Sequence, residues 1–368
     1  MYKSRSLAAL LAAVIAAGSF TACGGDTEGS SQSAESASGS VSDTESTVVS
    51  DVTGVFEYEY SEELGGMEIT GYLGEESAVI IPDTIEGKPV VSIGYSAFID
   101  HSAVTDVTIP ESVTVIGQRA FENCTSLSSV NIHDNVTMID LCAFMNCSML
   151  SSITIPDNIT ILEGNAFEGC KNLKNIEISP DNKAFKLVDG AILTKDGTQL
   201  IYCLNDITEY TIPAGVDTIA SCAFLDCTSL TAVTIPDSVT VIGHRSFENC
   251  TSLDNVDIPA SVTKIDEGAF RGCTSLTAVD IPDSVTAVGH FAFQDCSALA
   301  DLNIGSSVQT IGQAAFLGCS QLTYVTLPRS VTEIGRNVFK DCKNIQVVHN
   351  GVVYKYGAID ELYDDING

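Results

Sequence analysis

The sequence predicts a repeat solenoid, a β-rich stack of about ten 23-residue rungs with short helical turns, and three observations carry that reading. The string SVTVIGQRAFENCTSL at Ser112 to Leu127 returns almost unchanged as SVTVIGHRSFENCTSL at Ser238 to Leu253. Phe98, Phe121, Phe144 and Phe167 stand 23 residues apart, and so do Phe224, Phe247, Phe270, Phe293, Phe316 and Phe339. Three residues after each Phe comes a Cys, from Cys124 to Cys342, with His101 in the first copy. Across 368 residues that are 45% apolar yet contain no Trp, such columns fit one small unit copied many times.

Taken in order, the chain opens with an export signal. Lys3 and Arg5 form a positive n-region, Leu7 to Ala17 is apolar, and Thr21 and Ala22 are small residues directly before Cys23. The stretch from Ser19 to Cys23 resembles a lipobox, which implies cleavage after residue 22 and a lipid on Cys23. Phe20 stands where that motif usually has Leu, and a plain secretory signal with an incidental Cys is the alternative. No later stretch is long and apolar enough for a spanning helix, so the membrane is reached through the N-terminal lipid only. Residues 23–51 are rich in Ser, Gly, Glu and Ala and, from Gly24 on, hold no Lys or Arg. That composition buries too little apolar surface to offset its ordering entropy and reads as a self-repelling tether. The expected location is therefore the outer face of the cell membrane.

Charge narrows the partners. With 48 acidic residues against 17 basic ones, the net charge of −31 excludes nucleic acid, which needs clustered Lys and Arg. Basic proteins and divalent cations remain compatible with this field.

The rung that starts at Leu276 shows how the repeat folds. Leu276, Val279 and Ile281 have the spacing of a short strand, with Val279 and Ile281 on one face and Asp280 on the other. Pro282 and Asp283 turn the chain, Val285 and Val288 line a second inward run, and Gly289 permits the next corner. Ala292 and Phe293 then pack back inside. No rung can bury this interior alone, but rungs stacked at about 4.8 Å make one continuous core, roughly 50 Å long for ten of them. Ser112, Asn135, Asn158, Ser238, Ser261, Ser284, Ser307 and Ser330 share one corner position, where short polar side chains can satisfy turn backbone.

The recurring pattern L-x-x-V-x-I-P-x-S-V-x-x-I-G-x-x-A-F-x-x-C resembles the BspA-type, or treponemal-type, leucine-rich repeat of bacterial surface proteins, over about Val79 to Val347. The resemblance implies a right-handed leucine-rich repeat superhelix and a role in adhesion or protein interaction at the cell surface. It brings no shared catalytic residues.

Phe167 and Phe224 are 57 residues apart, two repeats plus 11. The extra chain, within about 180–206, reads FKLV-DG-AILT-KDG-TQLIY and predicts a β-meander with tight turns at Asp189-Gly190 and Asp196-Gly197. It reads as a structural interruption before a recognition knob. An open solenoid end would expose core, so covers are expected at both ends. Residues 52–75 supply an entry hairpin, Phe56 to Tyr60 and Met67 to Tyr72. After the solenoid of 76–345, residues 346–368 supply a hairpin turning at Asn350-Gly351 and a short amphipathic helix from Ala358 to Ile366. Capped ends imply a monomer.

Little here points to catalysis or to a cofactor. Of thirteen cysteines, nine lie in the repeat column and Cys142, Cys203 and Cys222 outside it, without C-x-x-C or zinc spacing. One Cys per rung reads as a small buried corner residue carrying a free thiol, which implies a reducing habitat. His244, Glu267 and His290 share a column in successive rungs, but that position elsewhere holds Gln118, Leu141, Gly164, Ser221, Gln313 and Arg336, so no metal site is expected. No G-x-S-x-G elbow or nucleophile-base arrangement appears, and an enzyme is not expected.

Binding is read from two columns of outward strand residues. One includes Asp106, Asn255, Asp301 and Tyr324; the other includes Asn131, Glu177, Asp257, Asp280 and Asn303. Neither contains Lys or Arg, so a basic or calcium-bridged protein ligand, from host matrix or bacterial envelope, is the expected partner. If the solenoid curves as leucine-rich repeats generally do, these columns line its concave face. The alternatives are an envelope-associated scaffold without a host ligand, and a non-catalytic binding subunit of a secreted hydrolase system.

Overall fold

The computed structural model describes residues 49–50 and 54–368. The expected signal peptide of residues 1–22, the lipid site at Cys23 and the tether up to residue 48 lie outside the described residues.

The chain is a β-solenoid in which every turn supplies two short strands, each hydrogen-bonded to its counterpart one repeat away. Ala278 pairs with Asp301, Val279 with Leu302, Asp280 with Asn303 and Ile281 with Ile304, all in parallel and 23 residues apart. Within Ala278–Ile281 the side chains of Val279 and Ile281 are buried and Asp280 is exposed, as strict alternation requires. The second strand of the same turn, Ala287–Val288, pairs onward with Thr310–Ile311. Twelve strands occupy the first position among the described residues, from Ala78–Ile80 to Gln346–His349, so the stack has about two turns more than its ten Phe residues announce. The first sheet is interrupted into four segments, whereas the second breaks once, between Ile161–Leu162 and Gln199–Cys203 at the insertion.

The third side of each turn carries the Phe. Phe270 donates its backbone N–H to the Ala292 carbonyl at 2.7 Å, and equivalent 22-step bonds recur along the stack. The rings consequently lie face to face, 4.8 Å and 8° apart for Phe224 and Phe247 and 5.1 Å and 1° apart for Phe247 and Phe270. Isolated aromatic pairs favour offset or edge-on geometry, so this near-parallel stack is set by rung spacing. All ten Phe side chains are fully buried.

Polar columns hold the corners together. The Cys296 thiol donates to the Phe270 carbonyl of the preceding turn at 3.1 Å, and Cys124, Cys147, Cys170, Cys250, Cys273, Cys319 and Cys342 repeat this contact. The corner residues also reach backward: Ser238 Oγ donates to the Val216 carbonyl at 2.7 Å and Asn158 Nδ2 to that of Asp134 at 2.7 Å. These bonds join rungs, where the sequence suggested satisfaction within a turn. A further column went unread. Two residues after each Phe stand only Asp, Asn or Gly, and all adopt left-handed backbone, with Asp100 at φ 63°, Asn123 at 61°, Asn146 at 60° and Gly169 at 73°. Their side chains link as well, Asn123 Nδ2 to Asp100 Oδ1 at 2.7 Å and Asn146 Nδ2 to Asn123 Oδ1 at 2.9 Å.

The Gly corner has a different cause from the one expected. Gly289 is not left-handed; a methyl group on it would lie 2.5 Å from the Asp266 carbonyl carbon of the preceding turn. Close approach of consecutive rungs, not turn flexibility, selects Gly there. Asp140 and Glu163 occupy the same position in two turns. Burial, with the nearby Asp140 adding to it, holds the Glu163 carboxyl above the usual carboxylate range.

The expected single continuous core is divided at the insertion. The meander strands Phe185–Val188, Ala191–Thr194 and Gln199–Cys203 are antiparallel, and the third rejoins the second sheet against Thr218–Ile219. Alternate meander residues serve opposite blocks: Ile192, Ile201 and Tyr202 pack with the N-terminal cluster, and Ala191, Leu193 and Leu200 with the C-terminal one. The meander is thus a two-faced spacer. Tyr202 stands edge-on to Phe167 at 5.7 Å and Tyr210 edge-on to Phe224 at 5.8 Å, so ring stacking stops on one side and resumes on the other. Arg245 bridges the spacer by pairing with Glu168 at 3.2 Å.

Two stability outcomes follow from this packing. Phe270→Ala should destabilise the fold by about 3 to 5 kcal/mol, read as a lowered thermal or denaturant midpoint; an unchanged midpoint would remove ring stacking from the account. Glu163 ionises at its ordinary value in the unfolded chain but at a raised value when folded. Its favourable contribution is complete below the ordinary Glu value and is lost as pH rises through the folded one. Glu163→Gln should therefore raise the melting temperature at about pH 8, with the gain closing toward about pH 4; an equal effect at both pH values would contradict the assignment.

Candidate interaction face

The first strand of each turn presents its outward residues to solvent because its inward ones are fixed in the core by register. Asp106, Asn255, Asp301 and Tyr324 of the first column are exposed, as are Asn131, Glu177, Asp257, Asp280 and Asn303 of the second. Pairing brings some of them side by side: Asp280 with Asn303, whose Nδ2 donates to the Asp280 carboxylate at 2.6 Å. Ser129 Oγ likewise donates to Asp106 at 3.0 Å. Glu177 accepts from Asn175 Nδ2 at 3.4 Å on its own strand. Tyr324 is 56% exposed, with Thr326 Oγ1 donating to its hydroxyl at 3.3 Å.

Asn255, Asp257 and Asp280 converge on one shallow depression of about 160 Å³, also lined by Val256, Ile258, Ala278 and Val279. Asn255–Val256 meets Ala278–Ile281 through a single residue pair, Asn255 with Ala278, so the two turns part beyond it. Asp106, Asn131, Glu177 and Tyr324 lie on other turns, away from this depression. The interruption at the insertion is filled by Glu209–Thr211, which pairs with Ala232–Thr234 and continues the exposed columns with Glu209 and Thr211. The sequence reading omitted these two because the 23-step count fails across the spacer.

Elsewhere the reactive groups are used structurally. All twelve described cysteines are buried with unbridged thiols. Burial pushes the thiols of Cys124, Cys170 and Cys342 up to about 12, which keeps them protonated donors and poor nucleophiles. His101 fills the Cys slot of its turn, with its ring 5.1 Å from that of Tyr72 and Nδ1 at 3.1 Å from the Ile99 carbonyl. His244 and Glu267 are half-buried, and His290 Nδ1 accepts the Gln313 backbone N–H at 2.8 Å. Among the described residues no three His, Cys, Asp or Glu side chains form a metal-holding group.

The BspA type leucine rich repeat region model matches residues 83–187, 197–316 and 245–351, in six copies. Among solved structures, a leucine-rich repeat protein from Eubacterium ventriosum is similar at 22% identity and a TM-score of 0.63, with 83% of this chain and 98% of that chain covered. The pneumococcal vaccine antigen PcpA is similar at 18% identity and a TM-score of 0.57, with 87% of this chain and 96% of that chain covered. A leucine rich cell surface protein from Faecalibacterium prausnitzii is 27% identical over 79% of this chain and 94% of that chain, with a TM-score of 0.44. No curated protein matches the chain. With the repeat model running through most of the stacked turns, the chain belongs to the BspA-type leucine-rich repeat family.

Proposed function

We propose that the chain is a non-catalytic binding module, exported and lipid-anchored at Cys23 to the outer face of the cell membrane. Its first-sheet face mediates adhesion or protein interaction with a host-matrix or envelope protein. One observation carries the reading. Asp257, Asp280 and Asp301 stand exposed on three consecutive turns, in outward columns that hold no Lys or Arg, beside the depression shared with Asn255. Carboxylates at rung spacing on a rigid sheet complement a basic protein patch, by steering encounter and by fixing orientation. Membership of a repeat family supports the binding role, since the rungs build an extended surface and the described thiols are committed to the corners.

Charge reversal by Asp257→Lys, Asp280→Lys and Asp301→Lys together tests it. Capture of a basic partner from host-matrix or envelope fractions should weaken by about tenfold or more, with the thermal midpoint unchanged. Repeating the capture with chelator separates a direct contact from one bridged by calcium. Unaltered capture by the triple variant would overturn the assignment of this face.

A further inference from the structure

The two caps close the core but leave the first sheet open at both ends. At the N-terminal end the hairpin of Phe56–Ser61 and Gly66–Tyr72 extends the second sheet, pairing Met67 with Val90, and lays Phe56 and Tyr72 against Phe98. The first sheet starts instead with Ala78–Ile80, which pairs with Asp106–Thr108 and has no strand on its other side among the described residues. Ile80 is 74% exposed and Leu73, just before this strand, 57%. At the C-terminal end the first sheet finishes with Val352–Lys355, antiparallel to Gln346–His349 and last in its sheet. Val352 and Val353 there are 51% and 53% exposed. The helix Ile359–Asn367 buries Leu362 and binds the inward Tyr354 through Asp365 at 2.6 Å, but adds no strand to this edge. An unpaired edge is a template for another strand, and these two belong to one sheet.

Charge distinguishes the two ends. Nine carboxylates lie between Glu57 and Glu86, and Lys88 is the lone cation in the sequence from residue 54 to residue 118. From Arg329 to Lys355 five exposed cations face only Glu333 and Asp341, in a chain otherwise strongly acidic. The remaining C-terminal carboxylates, Asp360, Glu361, Asp364 and Asp365, are on the helix.

We propose that the partner of each end is the other end of a second copy: Val352–Lys355 of one copy pairs antiparallel with Ala78–Ile80 of the next. Because Val352–Lys355 runs against the rung strands, an antiparallel partner runs with them, and the first sheet continues from copy to copy in one direction. Lys343 and Lys355 then meet Glu75 and Glu76, and Val353 meets Ile80 on the exposed face. The contact is heterologous and does not close, so it builds short rows of copies in place of the monomer expected from capped ends. It is independent of any ligand on the acidic columns.

Sedimentation velocity on the chain from Cys23 onward, carrying Cys23→Ser so that no lipid contributes, tests the proposal. The sedimentation coefficient should rise across about a hundredfold range of concentration and fall back in high salt. Glu75→Lys with Glu76→Lys, and separately Lys343→Glu with Lys355→Glu, should each leave a monomer, while mixing the two variants restores association. Misfolding of either variant would not be repaired by mixing. A parent chain that stays monomeric throughout, or association that both variants retain, would overturn it.

Discussion

The structure depends on one constraint: each residue must stack on the residue 23 positions away. Parallel pairing such as Ala278 with Asp301 fixes that register on one side, and the 22-step bonds of the Phe turn fix it on another. A residue change is therefore felt by the turns above and below, and like side chains gather into columns whose chemistry is decided collectively. Phe suits this because its flat ring tolerates a partner at rung distance on each face. Cys suits the adjoining corner because it is small enough to be fully buried while its thiol still reaches a carbonyl of the previous turn.

Stacking creates a polar problem as well as an apolar core. Every corner turns backbone groups away from the sheets, and each needs a partner once the next rung covers it. Thiols, hydroxyls and amides supply these partners column by column, always directed at the neighbouring turn. That commitment explains why so many nominally reactive side chains yield no reactive centre. Burial raises the thiols, and the hydroxyls are engaged by carbonyls. Function is left to the side chains that register turns outward.

Much of the fold was legible because it is periodic. The Phe, Cys and corner columns could be counted, and the outward strand residues followed from alternation around buried Val279 and Ile281. Some features were readable but missed, notably the Asp, Asn and Gly column two residues past each Phe, which is the composition left-handed backbone selects. Others are not written in any single repeat. That Gly289 answers close approach emerges only when two rungs are placed together, and the division of the core at Tyr202 depends on which face of the meander meets which block. For the interaction face, the sequence named exposed residues but could not show that Asn255, Asp257 and Asp280 share a depression, since that reflects local parting of two turns.

Removing one repeat tests the register constraint most directly. Deleting residues 262–284 joins Ser261 to Val285 and returns the same corner sequence one turn shorter. The account predicts a cooperative melt close to that of the parent chain and an unchanged far-UV spectrum per residue, whereas deleting the half turn 262–273 should abolish the cooperative transition. If the whole-turn deletion unfolded the chain as thoroughly as the half-turn deletion, register with the neighbouring rung would not be what holds this protein together.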